Sequence, residues 1–310
     1  MKRISIEPRK NWKSIVEDMG LDFHTDPNGK PYWNESAYYE FSMDEVDRIE
    51  EATNELHLMC LDVVADVIEN DRFAQLGIDT KSANLITRSW DADEKDIYGR
   101  FDFSLGQDGS LKMLEYNADT PTSLYEASVA QWQWLQDRFP DADQFNSIHE
   151  KLIEAWKNIE LYDPVHFTCL KDNQEDFITT SYMQDVALQG GKQVSFVFLE
   201  DIGITDFSNC FIDLQGEYIL SLFKLYPWEW LMAEDYGKYV KHGYRFIEPP
   251  WKMILSNKAL LPLLYELEPS CEWLLPSYFE MSTELGPVVT GTMTDPVWIK
   301  KPFLSREGSN

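Results

Sequence analysis

Residues 166–199 hold two apolar runs separated by a helical stretch, and no other feature restricts the fold of this 310-residue chain as much. His166-Phe-Thr-Cys-Leu170 reads as a short buried strand, 175–189 as a helix, and Val194-Ser-Phe-Val-Phe-Leu199 as a second strand. Gly190-Gly191 supplies the helix C-cap. Strands joined through a helix cannot close a tight hairpin, so the spacing predicts a βαβ unit over 165–199 and a parallel sheet. The fold class is therefore α/β, with α+β character where hairpins enter.

The clearest hairpin lies at 98–126. Two alternating runs flank Gly106-Gln-Asp-Gly109, a turn signature. Arg100, Asp102 and Ser104 share one face of the first strand, and Phe101, Phe103 and Leu105 share the other. Glu115 and Asn117 share a face of the second. A two- or four-residue loop pairs even with odd positions, which turns Arg100, Asp102, Glu115 and Asn117 to one side and leaves Phe101, Phe103, Leu105 and Leu114 as the core side. Two carboxylates and an amide oxygen are hard ligands of the kind Mg²⁺ takes, and a guanidinium suits an anionic substrate group. The same face also reads as a solvated salt-bridge ladder, a common and weakly stabilising arrangement. A hydroxyl-rich loop, Asn117-Ala-Asp-Thr-Pro-Thr-Ser123, follows and can offer donors to a ligand.

Composition narrows the function classes. The formal net charge is −27, from 54 acidic and 27 basic residues, which disfavours nucleic acid and anionic membranes and is compatible with a cationic partner such as a polyamine. No apolar run reaches transmembrane length, and Met1-Lys-Arg-Ile-Ser-Ile-Glu has no secretory apolar region. Cys60, Cys169, Cys210 and Cys271 are scattered and read as reduced thiols, so the expected location is cytoplasmic. The five histidines show no metal spacing.

The remaining segments give coarser expectations. Residues 1–40 read as irregular and aromatic-rich. Ser42-Met-Asp-Glu45 is a capping box opening a helix that persists to about Ile68. Further helices are expected from Ser123 onward, with Ala127, Ala130, Trp134 and Leu135 inward, over 142–159, and over 256–264 behind Ser256-Asn-Lys258. Residues 211–214 and 218–223 read as a hairpin around Gln215-Gly216. Glu200-Asp201 at a strand end is open to a functional role, with a solvated acidic loop as the favoured reading. Residues 296–302 read as a strand ending at proline, followed by Phe303-Leu-Ser-Arg-Glu-Gly-Ser-Asn310. Backbone N–H groups of such a Ser/Gly loop, with Ser305 and Gly308, can cradle phosphate oxygens; an ordinary chain terminus is the alternative.

Taken in order, Arg100-Phe-Asp102, Glu115-Tyr-Asn117-Ala-Asp119-Thr-Pro-Thr122, Phe223-Lys-Leu-Tyr-Pro-Trp-Glu229-Trp, Ser256-Asn-Lys258 and Trp298-Ile-Lys-Lys-Pro-Phe-Leu-Ser-Arg-Glu-Gly-Ser-Asn310 resemble the glutathionylspermidine synthase family, synthetase portion only. The resemblance implies a circularly permuted ATP-grasp fold with an inserted Rossmann-like pre-ATP-grasp domain. Chain order would then run from a helical/β part with the metal hairpin at 1–159, through the Rossmann-like domain at 160–250, to a partial ATP-grasp nucleotide region at 251–310. The C-terminal part is expected to be missing, because the resemblance stops inside the phosphate loop.

The resemblance also implies roles. Asp102, Glu115 and Asn117 match Mg²⁺ ligands, and Arg100 matches a contact to the reacting carboxylate. Thr120 and Thr122 fall at peptide-contacting positions, and Glu175 or Asp176 near an acidic contact to a peptide amine. Lys258 and Lys301 match ATP-phosphate lysines, with Ser305 and Gly308 in the phosphate loop. Ser123 stands where some members have cysteine, so thiol control there is not expected. A threonine used by polyamine ligases is not evident; Leu225 and Trp230 occupy the nearby positions. The implied activity is an ATP- and Mg²⁺-dependent carboxylate–amine ligation through an acyl phosphate, joining a peptide or amino-acid carboxylate to an amine such as a polyamine. The alternative is an inactive or substrate-binding relative that needs a second chain to complete the ATP site.

Overall fold

A computed structural model describes residues 1–241, 243–279 and 298–305. In chain order these form β1 (Lys2–Ser5), α1 (Trp12–Asp18), β2 (Ala37–Glu40), α2 (Met43–Glu69), α3 (Thr80–Asp91), β3 (Arg100–Leu105), β4 (Leu111–Asn117), α4 (Gln131–Arg138), α5 (Ile148–Asn158), β5 (Val165–Thr168), α6 (Gln174–Gln189), β6 (Val194–Phe196), β7 (Gly203–Ile204), β8 (Phe211–Ile212), β9 (Ser221–Lys224), α7 (Trp228–Ala233), β10 (Arg245–Ile247) and α8 (Leu260–Leu267). Two compact units emerge. The first holds Met1–Glu50, Glu94–Tyr98 and Thr120–Pro249; the second holds Glu51–Asp93, Gly99–Asp119 and Pro250–Asn310. Among the described residues no helix is long and apolar enough to cross a membrane.

The first unit is built on a parallel sheet of order β10-β9-β5-β6. The βαβ expectation holds: β5 and β6 pair in parallel, His166 opposite Ser195, with α6 between them in sequence. Every residue of β5 is buried, as expected of a parallel strand covered on both faces. Its odd positions, Val165 and Phe167, join Trp156 of α5, Met183 and Val186 of α6, and Phe223 of β9 in one core. The rings of Phe167 and Phe223 lie 5.3 Å apart. Gly190 lets α5 and α6 approach: a Cβ there would sit 2.9 Å from the Trp156 Cβ and 3.1 Å from the Ile153 carbonyl oxygen.

Several expectations change in this unit. Residues 1–40 are irregular only in part: β1 and β2 form an antiparallel pair, Arg3 opposite Tyr39, with α1 between them, while 19–36 hold no helix or strand. The Ser42 capping box forms as expected, Ser42 N–H donating to Glu45 Oε2 at 2.9 Å. The helix after Ser123 becomes π-helical over Glu126–Ala130 before α4, and the helix expected over 142–159 starts only at Ile148. The hairpin at 211–223 is reduced to one bridge between Ile212 and Tyr218, because residues 221–224 leave it for the centre of the parallel sheet.

The second unit contains the β3–β4 hairpin, α3, α8 and the 3₁₀ turn Pro250–Met253. Asp79 caps α3, its carboxylate accepting the N–H groups of Lys81 and Ser82 at 2.8 and 2.9 Å. Trp90 of α3 packs edge-on against Trp251. The helix expected over 256–264 is α8, which begins at Leu260. Ser256 does not cap it: its hydroxyl accepts the Ala118 N–H at 3.2 Å, and Asn257 donates to the Leu76 carbonyl at 2.8 Å. Residues 298–302, the described part of the expected 296–302 strand, are not in a strand.

Candidate functional site

The hairpin faces are set by a defect the sequence does not announce. Five residues, 106–110, separate Leu105 from its partner Leu111, so pairs near the turn sum to an even number: Leu105–Leu111 and Phe103–Met113. The expected two- or four-residue loop is therefore incorrect. A β-bulge then shifts the register between Asp102 and Phe103, and beyond it Asp102 faces Glu115 and Arg100 faces Asn117. The four polar side chains reach one side as expected, but through the bulge. Leu114 is the extra residue. It is 37 % exposed, not core, while Leu111, Met113 and Tyr116 are buried. Tyr116 stacks on Phe101 at 3.9 Å between ring centroids, and its hydroxyl meets His57 Nδ1 at 3.2 Å.

On the polar side Arg100 Nε donates to Asp102 Oδ1 at 2.9 Å, and Asn117 Nδ2 donates to Glu115 Oε1 at 3.2 Å. The tie from Ala118 to Ser256 brings the next turn of chain alongside, and Lys258 Nζ reaches Glu115 Oε2 at 3.1 Å. Lys258 also gathers the last described segment: its N–H donates to the Phe303 carbonyl and its ammonium to the Ser305 carbonyl, both at 2.9 Å. Lys301 donates to the carbonyl of the bulged Leu114 at 3.0 Å and lies 3.9 Å from Glu115 Oε2. Burial acts to raise the Glu115 carboxyl, but hydrogen bonds from Lys258 and Asn117 and the charges of Lys258 and Lys301 outweigh it and hold it below the usual range. Glu115 is thus a carboxylate at neutral pH.

Arg100, Asp102, Glu115, Asn117, Lys258 and Lys301 therefore form one cluster of two carboxylates, one amide and three cations, with the Ser305 carbonyl beside it. Gly308 lies outside the described residues. Among the described residues no three His, Cys, Asp or Glu side chains group as a metal cage. The set of two carboxylates and an amide oxygen nonetheless fits a hard cation that takes part of its coordination from substrate phosphates. Cations beside such a donor set match a polyphosphate or a carboxylate.

The other expected residues belong to the first unit. Thr120 and Thr122 are half-buried in the loop after the hairpin, where the Tyr98 hydroxyl donates to the Pro121 carbonyl at 2.5 Å. Glu175 and Asp176 occupy the first turn of α6, whose N-cap Asn173 accepts the Asp176 N–H. Sequence reasoning missed Glu126. It is 8 % exposed inside the π-helical turn and accepts a 2.6 Å bond from the Tyr32 hydroxyl. Burial and the Glu126 carboxylate both push the Tyr32 phenol up, with Glu175 adding to the effect. A charged residue amid the apolar spacing at 124–135 was the available signal. Glu248 was missed as well: it is 1 % exposed and accepts the N–H groups of Ile97 and Tyr98 at 3.2 Å, anchoring the approach to β3.

Residues 3–310 match the family described as glutathionylspermidine synthase preATP-grasp. The chain belongs to this family. A Haemophilus influenzae protein named "Putative acid--amine ligase" is 41% identical over 324 residues, covering 100% of this chain and 79% of that protein. The bifunctional glutathionylspermidine synthetase/amidase of Escherichia coli is 28% identical, over 91% of this chain and 48% of the enzyme. The trypanothione synthetase of Crithidia fasciculata is 24% identical, over 98% of this chain and 50% of the enzyme. The chain thus spans about half the length of the last two relatives.

Proposed function

We propose that this protein is a carbon–nitrogen ligase that spends ATP to join a carboxylate to an amine. The observation that carries the reading is the Glu115 cluster: a carboxylate opposed by Asp102 on the hairpin and flanked by Lys258 and Lys301. Family membership and the names of the relatives support the same class. The finer reading is a permuted ATP-grasp enzyme working in the cytoplasm, with a peptide or amino-acid carboxylate and a polyamine-type amine as substrates. The three-part division at 159 and 250 is part of that reading.

In the reaction, a substrate carboxylate oxygen attacks the γ-phosphorus of ATP and ADP leaves. The amine nitrogen then attacks the acyl carbon, phosphate leaves, and the nitrogen loses a proton to solvent. Arg100 is assigned to orient the reacting carboxylate by paired hydrogen bonds. Lys258 and Lys301 put positive charge where phosphate oxygens gather, and their fixed carbonyl partners hold them there before substrate arrives. Asp102, Glu115 and Asn117 would hold Mg²⁺, which when bound neutralises the transferring phosphoryl group. Thr120 and Thr122 are assigned to the peptide, Glu175 and Asp176 to a substrate amine, and Ser305 and Gly308 to the phosphate loop.

The test is phosphate release from Mg-ATP by the purified protein, across a matrix of small peptide carboxylates and polyamines, with mass detection of the amide. Glu115→Gln and Lys258→Met are each expected to lower kcat by at least about a hundredfold, the scale of a lost transition-state charge contact, with the circular dichroism unchanged. Turnover that survives both substitutions would remove the cluster from the mechanism. Absence of phosphate release from every pair would remove the ligase reading.

A further inference from the structure

The first unit contains a cavity that takes no part in the reading above. It has a volume of about 250 Å³ and lies on the sheet face opposite α5 and α6. Leu222 of β9 and Phe246 of β10 are cross-strand partners and form its floor, while Phe211 of β8 and Leu231 of α7 form its walls. Its place in the topology is specific. From β5 the chain passes through α6 to β6 on one side, whereas β9 pairs on the other side of β5 and leads through α7 to β10. The strand order therefore reverses between β5 and β9. Leu170 beyond the end of β5, Lys224 at the end of β9 and Leu199 beyond β6 all line the cavity, so it opens toward the carboxyl ends of the strands. In open α/β sheets that crevice is where small ligands bind.

The chemistry of the lining selects the ligand. The interior is apolar, and the rim carries two exposed carboxylates, Glu200 and Glu234. The Tyr226 hydroxyl donates to Glu234 and fixes its direction. The nearby cations are already engaged. Lys171 pairs with Asp201 at 2.6 Å. The Lys224 ammonium donates to the Tyr226 carbonyl at 3.0 Å and sits 4.4 Å from the Trp228 ring centre, so it is held by groups of the protein. A cavity of about 150 Å³ holds benzene, so this one accommodates a body of roughly ten non-hydrogen atoms. We propose that the cavity at the β5–β9 crevice binds a small amine with an apolar body, its ammonium held at the rim by Glu200 and Glu234.

Calorimetric titration of the full chain without ATP tests this, with 2-phenylethylamine as probe and 2-phenylethanol and 3-phenylpropanoate as its neutral and anionic counterparts. The amine is expected to bind at least about tenfold tighter than the alcohol, and the carboxylate not measurably. Leu222→Trp, which fills the floor, should abolish binding of amine and alcohol. Combined Glu200→Gln and Glu234→Gln lies at the exposed rim, so the fold is preserved, and should reduce the amine to the affinity of the alcohol. Amine and alcohol binding alike, binding that survives Leu222→Trp in a protein with native near-ultraviolet dichroism, or no amine binding at millimolar concentration would each overturn the proposal. Because ATP is absent, a failed ligase assay leaves this result untouched, and the reverse also holds.

Discussion

Arg9 shows how much one side chain can hold. Its guanidinium is buried, meets both oxygens of the fully buried Glu35 and contacts Asp137 at 2.5 Å. Removing Arg9 strands the buried Glu35 charge, so Arg9→Met should destabilise the first unit by about 3–5 kcal/mol, read from urea melts. Arg9 and Glu35 lie in a segment whose sequence shows no pattern linking them, and only the tertiary fold pairs them. At Glu115 the sign of the pH effect follows from its lowered pKa. Stability from its contacts is complete above its ordinary value of 4.5 and is lost as pH falls through the lower folded value. Lys258→Met removes part of that lowering. The stability gap between native protein and variant should therefore be largest at neutral pH and shrink below pH 4.5, as measured by urea melts across that range.

Among the elements, α3 tests a local rule. Asp79 accepts two helix N–H groups, and these bonds, with the Ser82 hydroxyl, hold its carboxyl below the usual range despite partial burial. Asp79→Ala should cost about 1 kcal/mol at neutral pH. The cost should fade as pH drops through the lowered pKa, because the protonated side chain caps poorly; thermal melts at successive pH values would show it. Helices with strong signals were legible: the capping box at Ser42 formed, and the helix read at 175–189 formed over Gln174–Gln189. The hairpin was legible as a hairpin, but not its register. The expected two- or four-residue loop puts Leu114 inside; the five-residue loop turns it to the Asp102 side, and the bulge, beside Met113 whose N–H donates to the Trp273 carbonyl, brings Glu115 and Asn117 to that side as well. A residue 160 positions away cannot be read from local alternation.

For the whole molecule, charge and core pull in opposite directions. A net charge of −27 makes the compact chain repel itself, and salt screens that repulsion over about 10 Å at 0.1 M. The melting temperature should rise when NaCl increases from low ionic strength to physiological levels. A fall over that range would show that specific ion pairs outweigh the general field. The parallel-sheet core is the opposing term. Phe223 is 2 % exposed and packs between Phe167 and Trp156, so Phe223→Ala should destabilise the first unit by about 3–5 kcal/mol in urea melts. The same residue opens the Phe223-to-Trp230 motif, so part of that motif serves the sheet core.

The sequence by itself determined the parallel βαβ unit, the long capped helix and the identity of the polar hairpin residues. Each depends on spacing within a few tens of residues, where period, caps and turns act locally. Tertiary structure alone decided that Lys258 and Lys301 meet Glu115, that Asp213 of the β8 turn lies 3.4 Å from His166, and that residues 221–224 leave a hairpin for the centre of a sheet. Those pairings join residues between 47 and 186 positions apart. They are chosen by which apolar surfaces bury together, a non-directional force that leaves no local pattern in the chain.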